Sequence, residues 1–408
     1  MAGVLEGLRV VEGSAFVAVP LAGMTLAQMG AEVIRFDRIG GGLDAQRWPV
    51  TSEGRSLFWA GLNKGKKSFA VNLSDPRGQE LVAELICAPG EGGGCYLTNL
   101  GQRAPLSYDA LAARRGDVIV VSLSGTRAGG PAVDYTVNPA LGFPNATGPE
   151  GSTEPVAHVL PAWDCIAGQM VANGLLAAER HRLRTGQGQC VELSLKDVGA
   201  AVLGHLGIIA EVVVNGVDRP KFGNSLYGAY GQDFTTADGR RVIVIGLTDR
   251  QWKGILRQTG TEAEMAALAA RIGLDFRREG DRFKARAEIT AILAPWFAAR
   301  RVADFAADFD AAGLTWTEFR SFAEAVALDP DLSPDNPMFG LVEQPGIGRY
   351  PVPASPLDFS LSGRLPPAPA PVLGQHTEEV LAQVLGPGSG QIGALMDAGV
   401  VAGPAAED

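Results

Sequence analysis

The stretch PAWDCIAGQ, Pro161 to Gln169, sets an aspartate in apolar surroundings where a helical pattern begins. Two kinds of chemistry fit a carboxylate there. Aspartate is a preferred helix N-cap, accepting the free backbone N–H groups of the first turn. A carboxylate kept ionised by those groups is also a nucleophile that needs no base. The local sequence leaves both readings of Asp164 open. The stretch DCIAGQMVANGLLAAERHRLRTGQGQ reads as one helix, with Asp164 at or near its start. Ile166, Met170, Val171 and Leu175 are its apolar positions, and Ala167, Gly168, Ala172 and Gly174 form a small-residue face that another backbone or a ligand can approach. Arg180, His181, Arg182 and Arg184 suit the negative end of the helix dipole, and Gly186 stops the helix.

Other reactive patterns fall short. GLNKGKKS, Gly61 to Ser68, is one residue too short between its glycines for a phosphate loop, so its lysines are left as point charges for a phosphate. The run Gly40 to Gly42 follows a strand but opens no dinucleotide fingerprint. GNSLYG has its second glycine one residue late for a nucleophile elbow. His158, His181, His205 and His376 lack metal-ligand spacing, and Cys165 reads as a small hydrophobe rather than a nucleophile.

The elements that position Asp164 are those of an α/β protein. LRVVEG, EVIRFD and DVIVVSLSG are strand patterns, and PLAGMTLAQMGA between the first two is a helix, so a parallel sheet is expected. Near Gly223 the texture changes: QDFTTA and RVIVIGL read as a hairpin turning at Asp238-Gly239, followed by two or three helices to Leu328. From Pro330 the chain is rich in proline and glycine and reads as an extended linker, closed by a last helix in HTEEVLAQVLG. The expected domains are residues 1–220 with 331–408, and a smaller α+β domain at 221–330. VGAAVLGHLGIIAEVVV, interrupted by His205 and Glu211, reads as a buried helix rather than a membrane span. The net charge of −10 argues against nucleic-acid and anionic-membrane partners. Four cysteines without a motif, and a start without signal-peptide order, point to the cytoplasm.

Five blocks, in order, carry a resemblance: LEGLRVVEGSAFVAVPLAGMTLAQMGAEVIRFDRIGGG, GLNKGKKSFAVNLSDPRG, VDYTVNPALG, RTGQGQCVELSLKD and PVLGQHTEEVL. Together they resemble the class III CoA-transferases, the formyl-CoA transferase type, over nearly the full length. The resemblance implies a Rossmann-like large domain built from both chain ends, a small inserted domain and an interlocked homodimer. It makes Asp164 the nucleophile and an acyl-CoA the substrate, with coenzyme A entering as part of that substrate and no tightly bound cofactor. Arg38, just past a strand end, aligns best as a phosphate partner, followed by Arg103 and, more weakly, Lys66. Asn99 and Leu100 match contacts to the CoA arm, and Asp134 matches a pocket-side position.

Further segments, including RWPVTSEGRSLFWAGLNKGK and DNPMFGLVEQPGIG, look most like a branch that moves CoA between the two carboxyls of one unsaturated C5 diacid. Val133 stands where the racemase branch needs a histidine, FGNSLYGAYG replaces the glycine-run loop of the formyl enzymes, and Val17 replaces their glutamine. These departures count against racemisation and against formate or oxalate. The alternative within the family is transfer to a free C4 or C5 acid. A non-catalytic acyl-CoA-binding role sits poorly with an intact aspartate.

Overall fold

In LRVVEG and EVIRFD successive side chains point to opposite faces. Both strands form, as β1 (Arg9–Gly13) and β2 (Glu32–Asp37), paired in parallel with Glu12 beside Arg35. The computed structural model describes residues 3–386 and 388–404. In it β3 (Lys67–Val71), β4 (Cys95–Thr98), β5 (Ile119–Ser124) and β6 (Gln189–Ser194) join β1 and β2 in one parallel array. Val401–Ala402 adds an antiparallel edge to β3. Across the sheet the order is Val401–Ala402, β3, β2, β1, β4, β5, β6. The direction of winding reverses at β1, and in open α/β sheets ligands bind outside the carboxyl ends of the strands at such a switch.

The helices are α1 (Ala18–Ala27), α2 (Leu57–Leu62), α3 (Pro76–Cys87), α4 (Tyr108–Arg114), α5 (Asp134–Ala140), α6 (Phe143–Ala146) and the long α7 (Ala162–Thr185). On one face of the sheet Val11, Ile34, Phe36 and Phe69 pack with Val82 and Ile86 of α3, Leu111 of α4 and Val380 near the C-terminus. The alternate residues Val10, Glu12, Val33 and Arg35 face the other way, where Gly23 of α1 comes within reach of both Val33 and Glu12. Near the end of α7, Arg182 donates to Gly93 O at 2.7 Å and Asp117 O at 3.4 Å, just ahead of β4 and β5. The end of α7 therefore lies at the amino edge of the sheet, and its start lies at the carboxyl edge. Gly186, in the left-handed region at φ 73°, terminates α7 as its sequence position suggested.

The chain divides into two units, Met1–Leu141 with Val159–Ala210 and Asp329–Asp408, and Gly142–His158 with Glu211–Leu328. These boundaries differ from those expected, because residues 142–158 and 211–220 group with the second unit and 329–330 with the first. Backbone bonds Val156 N to Pro144 O and Gly223 N to Gly148 O, and Lys221 Nζ to Glu154 O, tie those segments together. The second unit holds β7 (Tyr230–Thr235), β8 (Arg241–Gly246) and β9 (Thr315–Glu318) as an antiparallel sheet over an aromatic core in which Phe234 stacks on Phe297 at 4.2 Å. The hairpin turn falls at Asp238-Gly239 as expected. The two or three helices expected to Leu328 are instead six α-helices and a 3-10 turn at Val302–Asp304, and β9 interrupts them.

Two other expectations change. The run VGAAVLGHLGIIAEVVV breaks at Gly207, φ 75°, into α8 (Leu195–His205) and α9 (Ile208–Asn215), and no residue of α9 is buried. Among the described residues no single helix is long and apolar enough to cross a membrane. The proline-rich linker contains a hairpin, β10 (Phe339–Gln344) with β11 (Gly348–Pro353), turning at Gly346.

The small-residue face of α7 meets α1. A Cβ on Gly168 would stand 2.7 Å from the Ala18 carbonyl oxygen and 3.1 Å from Leu21 Cδ2. Gly168→Ala should therefore part the two helices and lower the unfolding free energy in urea by about 1–3 kcal/mol. Unchanged stability would mean that the helices approach less closely than this.

Candidate active site

The carboxyl edge at the switch point is built from the loop Ser14-Ala15-Phe16-Val17 between β1 and α1. Phe16 is the one described non-glycine residue with positive φ, at 68°. Such a backbone costs about 1–3 kcal/mol and persists only where its surroundings fix it. Here Ala15 N donates to Asn99 Oδ1 at 2.9 Å, and Asn99 Nδ2 donates back to Ala15 O at 2.7 Å. Phe16 N donates to both Asp44 carboxylate oxygens at 2.9 Å. Arg35 in turn donates to Asp44 at 3.1 Å, to Ser14 O at 3.2 Å and to both oxygens of Asp37. Beneath it Lys66 Nζ lies 2.8 Å from Glu12 Oε2 and donates to Glu12 Oε1, Pro20 O and Asn63 Oδ1. The loop thus rests on a buried set of alternating charges.

α7 begins at the same edge, and its cap is not the expected one. Asp134, 2% exposed in the first turn of α5, accepts Trp163 N at 2.7 Å and Asp164 N at 3.3 Å on its Oδ2. Pro161 precedes the helix and offers no side-chain cap. Asp164 lies one step further in, and no hydrogen bond reaches its carboxylate among the described residues. The expectation that free N–H groups hold Asp164 ionised is therefore corrected: Asp134 occupies those donors. Burial, with the Asp134 charge adding to it, raises the Asp164 pKa to about 6, against a lowering influence from Arg47. The neighbouring Cys165 thiol is pushed up by burial and by both aspartates, which leaves it a poor thiolate.

The other expected residues divide. Lys66 is fully enclosed in the Glu12 network, and burial brings it down to about 8, so it does not reach out to a phosphate. Lys67 pairs with Glu32 and Glu379, and Lys64 donates to Gly61 O. Arg38 and Arg103 are exposed, and no carboxylate pairs with either among the described residues. Arg38 follows β2, and Asn99 and Leu100 follow β4, so all three stand at the carboxyl edge beside the Phe16 loop. Asn99 clamps that loop, and Leu100 is exposed, its N–H held by Thr98 Oγ1 at 2.9 Å. Asp134, expected on the pocket side, is buried as the cap of α7.

Sequence reasoning missed Glu12, Arg35, Asp44 and Arg47. Glu12 and Arg35 carried a signal, since opposite charges at paired positions of two apolar strands stabilise each other across the ladder. Asp44 and Arg47 lie in an irregular segment with no periodicity to read. Arg47 stands over Phe16 at 5.3 Å and Phe58 at 5.2 Å from the ring centroids.

Because Asp134 raises the Asp164 pKa by charge, Asp134→Asn keeps a capping oxygen but removes that influence. Carbon NMR titration of the Asp164 carboxyl should give a midpoint near 6 in the parent chain and a lower one in the variant. An unmoved midpoint would assign the shift to burial alone.

The family model described as CoA-transferase family III matches residues 5–377. A 2-methylfumaryl-CoA isomerase of Chloroflexus aurantiacus is 60% identical over 99% of this chain and 99% of its own length. A succinyl-CoA:glutarate CoA-transferase of Mus musculus is 28% identical over 97% of this chain and 90% of its own. A crystal structure of a CAIB/BAIF family protein from Brucella suis superposes with a TM-score of 0.76 at 24% identity, covering 94% of this chain and 100% of that one. A doubly wound sheet with a free aspartate at its carboxyl edge and a family match over most of the length lead to one conclusion: the chain belongs to CoA-transferase family III.

Proposed function

We propose that this chain moves CoA between the C1 and C4 carboxyls of mesaconyl-CoA (2-methylfumaryl-CoA), with Asp164 as the nucleophile. The observation that carries the reading is the half-buried Asp164 carboxylate, free of hydrogen bonds at the switch-point edge and basic enough to attack while still ionised at neutral pH. The full-length similarity to a 2-methylfumaryl-CoA isomerase supports the choice of acyl group.

An Asp164 oxygen attacks the C1 thioester carbonyl. The C–S bond breaks, CoA leaves as thiolate, and a mixed anhydride joins Asp164 to C1. The thiolate then attacks the Asp164 carbonyl carbon, and the diacid leaves as its dianion, so that the enzyme holds an aspartyl-CoA thioester. After the diacid turns, its C4 carboxylate attacks the aspartyl carbonyl and expels the thiolate, giving a second anhydride. Attack of the thiolate at C4 completes the product and restores the Asp164 carboxylate. No net proton moves. Each tetrahedral oxyanion needs donors; the first N–H groups of α7 and those of Ala15 and Phe16 are already taken, which leaves Val17 N, at the start of α1, as a candidate. The anhydrides require a site closed to water.

For the CoA arm, the exposed Arg38 and Arg103 are candidates to pair phosphates, and Leu100 to lie along the pantetheine. Asn99 serves by holding the loop. The homodimer rests on the family, and the cytoplasmic location rests on four free cysteines without a motif. The similarity to a succinyl-CoA:glutarate CoA-transferase keeps transfer to a free acid as the second reading.

Asp164→Asn should lose turnover and keep CoA-ester binding in calorimetry; retained turnover ends the nucleophile assignment. Incubation of the parent enzyme with labelled free mesaconate should leave the CoA ester unlabelled. Label entering the ester at the turnover rate would favour the intermolecular reading. With carboxylate attack, kcat/KM should fall with unit slope below about pH 6 and level off above it.

A further inference from the structure

The Arg47 guanidinium is held over the rings of Phe16 and Phe58, and no carboxylate pairs with it among the described residues. Its place follows from the packing. Asp164 and Gly168 lie one turn apart on the same face of α7. Gly168 presses on the carbonyl oxygen of Ala18, two residues after Phe16. Phe16 and the arginine upon it therefore border the space in front of Asp164, and the Asp164 carboxylate responds to the Arg47 charge. Of the other cations beside the loop, Arg35 is neutralised by Asp37 and Asp44 and Lys66 by Glu12, while the exposed Arg38 is left for the CoA phosphates.

A diacid bound as a monothioester brings a second carboxylate into the site. Removed from water, that charge requires a partner. We propose that Arg47 pairs with whichever carboxylate of the bound diacid is not joined to CoA or to Asp164, selecting dicarboxylic acyl groups and retaining the freed diacid while it turns. The inference rests on the reading of Asp164 as acyl acceptor. In the first half of the cycle the partner is the C4 carboxylate, and in the second half it is C1. One fixed guanidinium serves both, because turning the diacid exchanges its ends. A guanidinium is suited to this, since it presents paired donors to a carboxylate and stays charged at any working pH. No bond is made or broken at Arg47, so it is a specificity-determining residue.

The test compares the full-length parent with Arg47→Gln and Arg47→Lys on mesaconyl-CoA and on 2-butenoyl-CoA, which lacks the second carboxylate. Hydroxylamine intercepts the aspartyl anhydride, and a thiol reagent counts CoA released. Arg47→Gln should lose about a hundredfold in kcat/KM for the diacid thioester, the size expected when a charge-assisted pair is removed, with little change for the monoacid. It should also let labelled mesaconate exchange into the ester. Arg47→Lys should recover part of the preference. An unchanged ratio between the two thioesters, or an equal loss on both, would overturn the proposal, the second by reducing Arg47 to a packing role. Asp164→Asn sets the background. CoA release that continues in Asp164→Asn as in the parent would instead sink the reading of Asp164, whatever the Arg47 ratio.

Discussion

A buried carboxylate on α5 closes the first turn of α7, and the aspartate at the third position of that helix stands free because of it. Asp134 accepts both Trp163 N and Asp164 N on one oxygen. Had Asp164 taken those donors itself, each bond would have favoured its charged form and lowered its basicity. With the donors occupied, burial and the neighbouring charge work in the opposite direction and bring Asp164 to about 6. Two carboxylates a short distance apart thus divide the work: one organises the helix, and the other keeps its lone pairs unclaimed, as the proposed attack on a carbonyl requires.

The opposite wall of the site depends on charges inside the sheet. Glu12 and Arg35 project from paired positions of β1 and β2 toward α1, where a side chain at Gly23 would collide with Glu12, its Cβ only 1.7 Å from Oε2. Lys66 approaches from the start of β3, and Asp44 from the loop beyond β2. Each member has its partner, which a buried charge requires. The result is a rigid support for the left-handed Phe16, whose ring in turn carries Arg47. Strand periodicity, the glycine in α1 and the strained loop are parts of one arrangement. Its outcome is an arginine held over the Phe16 ring, as the proposed pairing of Arg47 with a substrate carboxylate requires.

Much of this was legible in the sequence, for reasons that differ by element. The strands and α7 were readable because period, small residues and a terminal glycine act locally. The place of Asp164 at the start of α7 was readable, but its environment was not: the cap comes from a residue thirty positions earlier in the chain, and no local pattern encodes that. Lys66 read as a phosphate partner because it sits in a basic turn. Only the fold shows that Glu12, far upstream, claims it. The apolar run after β6 looked like a core helix by composition, whereas a glycine in the left-handed region divides it and leaves Val213 and Val214 exposed. Arg47 was invisible for the same reason as Asp44, since irregular backbone carries no repeat.

Covalent capture tests the central claim most directly. The parent enzyme is mixed with mesaconyl-CoA and treated with borohydride, which reduces an aspartyl thioester to an alcohol, and the peptides are then read by mass spectrometry. The account predicts reduction at Asp164, only when substrate is present and to a level that follows the amount of active enzyme. Reduction at another residue, or an unmodified Asp164 in enzyme that turns over at full rate through the quench, would contradict it.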